Sequence, residues 1–356
     1  MKLFLPLLVL FMAGFAPVMH AAKVVVVRTP VELKEALRAP ASGTTIRIGP
    51  GEFPGGWMVS GVAELTVEAL DAKARPVFRG GRGAWQFSQC PGLTVRGLVL
   101  IGQTGNGLNI DDGGQRERPV RGVKIEGVEV LDIGPQGNHD AIKLSGLDEL
   151  TVRDCRIEGW GGQGIDMVGC HRVLVTGCEL RGKDGFSASA GIQMKGGCAE
   201  IVVEKCRFMR AGERPVNMGG STGLDYFRPP GALYEARALT VRDCLFEGSL
   251  CAAAFVGLDG GEFSGNTILY PEKWIFRILQ ETTGEGFAPC RRVIVRGNRI
   301  VFRRSQVTTE LNIGANTAPE TFEFTGNRWF AEDRPAASKP KLPVAERGGE
   351  YGVDPR

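Results

Sequence analysis

One short template recurs along the whole of this sequence. The segments LTVRGLVL (93–100), VKIEGVEV (123–130), LTVRDCRI (150–157), VLVTGCEL (173–180), IVVEKCRF (201–208), LTVRDCLF (239–246), GEFSGNTI (261–268), VIVRGNRI (293–300) and FEFTGNRW (322–329) share it. Each reads apolar, any, apolar, any, a turn residue, a ladder residue, any, apolar. The ladder position runs Leu98, Val128, Cys155, Cys178, Cys206, Cys244, Asn266, Asn298, Asn327, at intervals of 22 to 38 residues. A second short strand recurs within the periods: NGLNID (106–111), DAIKLS (140–145), QGIDMV (163–168), AGIQMK (190–195), RPVNMG (214–219), AAAFVG (252–257), WIFRIL (274–279) and ELNIG (310–314). Two-fold alternation over about five residues rules out a helical repeat. Such strands cannot bury their apolar residues singly and must stack rung on rung, ~4.8 Å apart. The expected fold is all-β, a right-handed parallel β-helix of three short sheets, with the 51 glycines of the 356 residues supplying its turns.

A solenoid needs caps at its ends. TPVELKEALR (29–38) supplies one: Thr29 is an N-cap, Pro30 the first helical residue, and Leu33, Ala36 and Leu37 an apolar face. Ahead of it, Lys2, an apolar run and the small residues Ala21 and Ala22 read as a secretory signal. The expected organisation is a signal peptide over 1–22, a β-helix domain over 23–330 and a Pro-rich tail over 331–356, extended or disordered. The mature chain is then secreted or periplasmic, monomeric and free of membrane spans, since no later apolar run nears the ~18–20 residues required. The 43 basic residues nearly balance 40 acidic ones, which argues against nucleic acid as a partner. Only His139 and His171 lie beyond the signal, so a multi-histidine metal centre is excluded.

Nine cysteines in an exported chain would ordinarily imply disulfides. The repeat assigns eight of them otherwise. Cys155, Cys178, Cys206 and Cys244 fill the ladder column, and Cys90, Cys170, Cys198 and Cys290 each stand three residues before a strand. Both columns point inward, so these residues are expected to act as small buried hydrophobes; a disulfide between neighbouring rungs is geometrically open, but no spacing demands one.

Function must then come from outward positions. With Ile142, Ile165, Ile192, Val216, Phe276 and Leu311 inward, the neighbouring file is Asn109, Lys143, Asp166, Gln193, Asn217, Ala254, Arg277, Asn312. Two residues on, a second file holds Asp111, Ser145, Val168, Lys195 and Gly219. Lys143, Asp166, Gln193, Lys195 and Asn217 form one polar patch, and Arg277 continues it. His139, beside Asp140, is a candidate base whose tautomer the carboxylate could hold; His171 reads as structural. The long excursion 219–236 carries Asp225, Tyr226, Phe227, Arg228 and Tyr234, suited to sugar faces and carboxylates. A second loop, 280–290, offers Glu281 and Glu285 on the same side.

The helix followed by GTTIRIGPGEF (43–53), with asparagines at the ladder position, resembles the pectate-lyase-like right-handed β-helix superfamily over roughly residues 24 to 330. AGIQMKGG (190–197) looks like the strand that carries the base lysine in the chondroitinase-B and alginate-lyase branch, with Lys195 at that position. The positions of that branch's calcium-binding acids hold Ala190 and Ala188, and its arginine column holds Gly219. Calcium is the one cofactor the resemblance leaves open, without its expected acidic ligands; no other cofactor or metal is implied, and Arg214 or Arg228 would have to replace the arginine. His139-Asp140 resembles the end of the alginate C5-epimerase signature. Both partial matches imply removal of the proton α to a uronate carboxylate. The expectation is a polysaccharide lyase acting on an acidic polysaccharide, with Lys195 or His139 as base and Arg214 and Arg228 as carboxylate neutralisers. The alternatives are a uronate C5-epimerase, a glycoside hydrolase using Asp140 and Asp166, or a non-catalytic glycan-binding surface protein.

Overall fold

The computed structural model describes residues 23–356; the expected signal segment lies outside the described residues. The chain winds into a right-handed parallel β-helix whose strands form sheets of thirteen, ten and twelve strands. Every strand pairing is parallel; Leu150–Val152, for example, lies against Val173–Val175 in register. Each template segment spans two sheets. LTVRDCRI contributes Leu150–Arg153 to the thirteen-stranded sheet and Arg156–Ile157 to the twelve-stranded one, with the corner at Asp154-Cys155. The corner has a physical signature: the residue before each ladder position is left-handed in all nine templates, with φ between +54° and +67°. Glycine fills most of these positions, and Asp154, Lys205 and Asp243 adopt the same conformation.

The left-handed turn aims the ladder side chain inward. Asn298 Oδ1 accepts the Asn266 backbone N–H at 2.9 Å, and its Nδ2 donates to Phe263 O at 3.0 Å. Asn327 does the same for Asn298 one rung later. Cysteines continue the column, and the Cys206 N–H donates to Cys244 Sγ at 3.4 Å. All nine cysteines are buried free thiols, including Cys251, which the repeat did not assign. Burial pushes the thiols of Cys251 and Cys290 up to about 12.

Both ends are closed. The helix Pro30–Ala36 buries Leu33 at the first rung, and Thr29 Oγ1 accepts the Glu32 N–H at 3.2 Å. The tail departs from the extended or disordered segment expected of its composition. Glu350–Tyr351 pairs in parallel with Arg328–Trp329, Ser338 is buried, and Glu346 takes the place of a further ladder asparagine. Its carboxylate accepts from the Asn327 N–H at 3.1 Å, from Asn327 Nδ2 at 2.7 Å and from Trp329 Nε1 at 2.9 Å. The last rung's donors would be orphaned without it, and that requirement orders the tail. Among the described residues no helix is long and apolar enough to cross a membrane.

Replacing Asn298 with Ala should strand the Asn266 N–H and the Phe263 carbonyl, at a cost of about 2–4 kcal/mol, read from urea unfolding midpoints. Native protein should resist a thiol-alkylating reagent and take up nine equivalents once unfolded; mass spectrometry distinguishes that outcome from fewer additions.

Candidate functional site

The ten-stranded sheet turns one face outward, and its register reproduces the expected file residue for residue. Asn109, Lys143, Asp166, Gln193, Asn217, Ala254, Arg277 and Asn312 are direct partners on successive strands. Two earlier rungs, not identified from the repeat, extend it through Gln86 to Met58. The second file is interrupted. A bulge between Gln193 and Met194 pairs Met194 with Gly219, so Lys195 stands beside Gly220 and not Gly219. A Cβ on Gly219 would collide with the Val256 carbonyl, and one on Gly220 with the Gln193 amide. This glycine pair lets the chain leave the sheet next to Lys195.

The patch is an alternation of charge. Lys143 Nζ donates to Asp166 Oδ2 and lies 3.3 Å from Asp140 Oδ2, while Lys195 Nζ lies 3.4 Å from Asp166 Oδ1. Asp166 is fully buried and Asp140 nearly so. Burial, reinforced by the charge of Asp166, pushes the Asp140 carboxyl up to about 6, against the opposing pull of Lys143 and the Gln163 N–H at 2.9 Å. The two acids raise the Lys143 ammonium against the effect of its own burial.

His139 does not share this arrangement. The Asp140 carboxylate is committed to Gln163 N–H and Lys143, so it does not hold the imidazole as expected. Among the described residues the His139 ring has no hydrogen-bond partner; it packs against Gly134 and Gly137. His171 is structural, its Nε2 lying 2.9 Å from Gly197 O.

Beyond Lys195 the face becomes a notch of about 180 Å³, bordered by Gln193, Asn217, Arg214, Glu213 and Glu281. Asn217 is buried and its Oδ1 has no hydrogen-bond partner. Arg214, on the same strand, reaches Glu281 at 3.5 Å, which places that glutamate on the expected side. Arg277 lies past the small Ala254, donates to Asn312 Oδ1 at 3.0 Å and stacks over Trp274 at 4.8 Å. Burial first, then the nearby Arg214 charge, lowers the Arg277 pKa.

Arg228 is not available to neutralise a substrate carboxylate. Its guanidinium grips the buried Asp112 through Nε at 2.5 Å and Nη2 at 3.1 Å, across 116 positions of sequence. The loop 219–236 lies flat along the turn beside the sheet, on the glycine column Gly146, Gly169 and Gly197, where any Cβ would meet Asp112 or Arg228. Asp225 offers its backbone carbonyl to Arg116, and Tyr226 is exposed on the loop. The sequence did not single out Glu235, yet this buried carboxylate joins the two loops to the Lys195 rung. It accepts from Gly196 N–H at 2.8 Å, Thr222 N–H at 3.0 Å and Thr282 Oγ1 at 2.5 Å. Burial raises its pKa despite those donors.

Among the described residues no three His, Cys, Asp or Glu side chains converge as a metal site. A family profile described as "Right handed beta helix region" matches residues 84–300. No curated protein matches the sequence. Solved structures share the fold at low identity. An alginate lyase from Paenibacillus sp. str. FPU-7 is 18% identical, with a TM-score of 0.56, over 84% of this chain and 100% of that one. The PL6 family alginate lyase AlyGC is 13% identical, with a TM-score of 0.53, over 91% of this chain and 47% of that one. The A-module of the Azotobacter vinelandii mannuronan C-5 epimerase AlgE6 is 14% identical, with a TM-score of 0.53, over 92% and 94%.

Two measurements test this geometry. Because folding raises the Asp140 pKa, the folded state binds the extra proton between pH ~4 and ~6. The group's contribution to stability is thus fully favourable below that window and is lost as pH rises through 6, amounting to about 3 kcal/mol. Asp140→Asn should flatten the dependence of the melting temperature on pH across that window. Arg228→Ala should strand the Asp112 charge, costing about 3–5 kcal/mol and opening the 219–236 loop to protease.

Proposed function

We propose, on the premise that this chain belongs to the right-handed β-helix family, that it is an exported polysaccharide lyase that cleaves a uronate-containing polysaccharide by β-elimination. The observation that carries the reading is the unpartnered, buried Asn217 amide oxygen in a notch lined by Arg214, with Lys195 across the bulge and Arg277 two rungs on. A proton α to a carboxylate is weakly acidic until the developing enediolate charge is neutralised, and a guanidinium in or beside the notch would supply that neutralisation. Arg214 and Arg277 take this part in place of Arg228. Lys195 removes the proton; the electron pair forms the ring double bond and expels the glycosidic oxygen, to which Lys195 then returns a proton. Gln193 and Asn217 orient the sugar. The names of two of the similar folds, an alginate lyase and a mannuronan epimerase, support a polyuronate as the substrate class. The apolar segment 1–22 supports export.

A second reading rests on a specific observation. Asp140, with its pKa near 6, stands beside Asp166 with Lys143 joining them, and a proton-holding acid next to a second carboxylate is the requirement of a glycoside hydrolase.

Alginate, polygalacturonate and chondroitin are to be incubated with the protein while the ultraviolet absorbance of an unsaturated uronate is followed. The absorbance should rise on one of them, fall by at least ~100-fold with Lys195→Ala and drop strongly with Arg214→Ala. Reducing ends without absorbance would establish the hydrolase reading. Full activity in Lys195→Ala with none in His139→Ala would move the base to His139.

A further inference from the structure

A second concave region lies on the same face, at its N-terminal end. It encloses about 420 Å³ and is lined by Trp57, Met58, Arg82, Gln86 and Asn109. Its floor has two sources. Trp57 packs against Trp85 with ring centroids 6.0 Å apart and the planes tilted by 31°, which fixes an aromatic surface against the core, and Met58, which begins the outward file, is 69% exposed. The rim is polar. Gln86 and Asn109 donate to Asp111 Oδ2 at 3.3 and 2.9 Å, so their carbonyl oxygens remain open to an incoming hydroxyl. Trp85 lines the same cavity, and its buried Nε1 has no hydrogen-bond partner. Arg82 forms no ion pair among the described residues, although most arginines on the sheet faces do; Arg47, Arg79 and Arg96, for example, are all paired with glutamates.

An apolar platform, amide acceptors and one unpaired guanidinium are what a sugar ring bearing a carboxylate requires: stacking for the ring, hydrogen bonds for hydroxyls and a fork for the acid. The region is collinear with the candidate active site. The file Met58, Gln86, Asn109, Lys143, Asp166, Gln193 runs through it, and at ~4.8 Å per strand step its far edge at Met58 lies roughly 24 Å, and its near edge at Asn109 roughly 14 Å, from the Lys195 rung. We infer that this cavity is a remote subsite for a uronate unit of the same polysaccharide chain, so that a long chain is held at both ends of one face. The inference rests on the polyuronate reading above and adds a dependence on chain length. Two linked contacts raise the affinity of a ligand long enough to span them and leave that of a short one unchanged.

The test compares binding of the full-length protein to polymer and to short oligosaccharides of alginate, polygalacturonate and chondroitin by calorimetry, with dextran as the neutral control. Arg82→Ala, on the rim, and Trp57→Ala, in the floor, are measured beside Arg214→Ala, with melting temperatures to confirm folding. The wild type should bind polymer more tightly than oligosaccharide by tenfold or more, and Arg82→Ala should reduce that ratio to near one. If Trp57→Ala unfolds, Arg82→Ala and Arg82→Glu carry the test alone. An unchanged ratio in Arg82→Ala, with affinity lost in Arg214→Ala, would overturn the subsite and leave the polyuronate reading standing. A wild type that binds none of alginate, polygalacturonate and chondroitin better than dextran would overturn both.

Discussion

Parallel backbone pairing, in register from rung to rung except at the bulge after Gln193, is the constraint on which the rest of this molecule depends. Each rung is bonded to the next at the same positions, so a side chain's neighbours are set by its place in the repeat and not by local choice. Inward, that rule stacks cysteine on cysteine and asparagine on asparagine, and each asparagine satisfies the ladder N–H of the rung before it. Outward, the same rule builds files of polar residues and sets the spacing between any two of them. A site on such a surface is assembled without long-range folding decisions. Its precision comes from the stack.

The stack also explains why charges are tolerated where the sheet is buried. Asp166 has no exposure, and an unpaired carboxylate there would be severely penalised. Lysines one rung to either side, Lys143 and Lys195, compensate it, and Asp140 in turn engages Lys143. Asp140 is buried beside the Asp166 charge, and these two effects outweigh the pull of Lys143 and raise its carboxyl to about 6. Past the bulge the side chains around Asn217 are again of both signs, Arg214 with Glu213 and Glu281. The notch begins where the glycine pair Gly219-Gly220 releases the chain from the sheet.

The fold and the outward file were legible in the sequence because both follow from period and alternation. Lys143, Asp166, Gln193 and Asn217 came out as neighbours for the same reason that Ile142, Ile165, Ile192 and Val216 came out as core. What was not legible depends on contacts outside the repeat. Arg228 reaches Asp112 over four rungs of intervening chain, and no spacing rule predicts a pair 116 residues apart. Glu346 caps the ladder from a segment whose proline content reads as unstructured. The bulge that moves Lys195 beside Gly220 adds one residue to a strand, which a repeat template cannot register. The Trp57 and Arg82 cavity was missed because its rungs precede the first clear template.

The central claim is that the outward face of the ten-stranded sheet is the surface that receives a glycan chain. A crystal structure of the protein soaked with a uronate oligosaccharide tests it most directly. Sugar density along the file from Lys143 to Arg277, with a carboxylate against Arg214 or Arg277, is the predicted result. Density on the thirteen- or twelve-stranded sheet, with that file left bare, would contradict it.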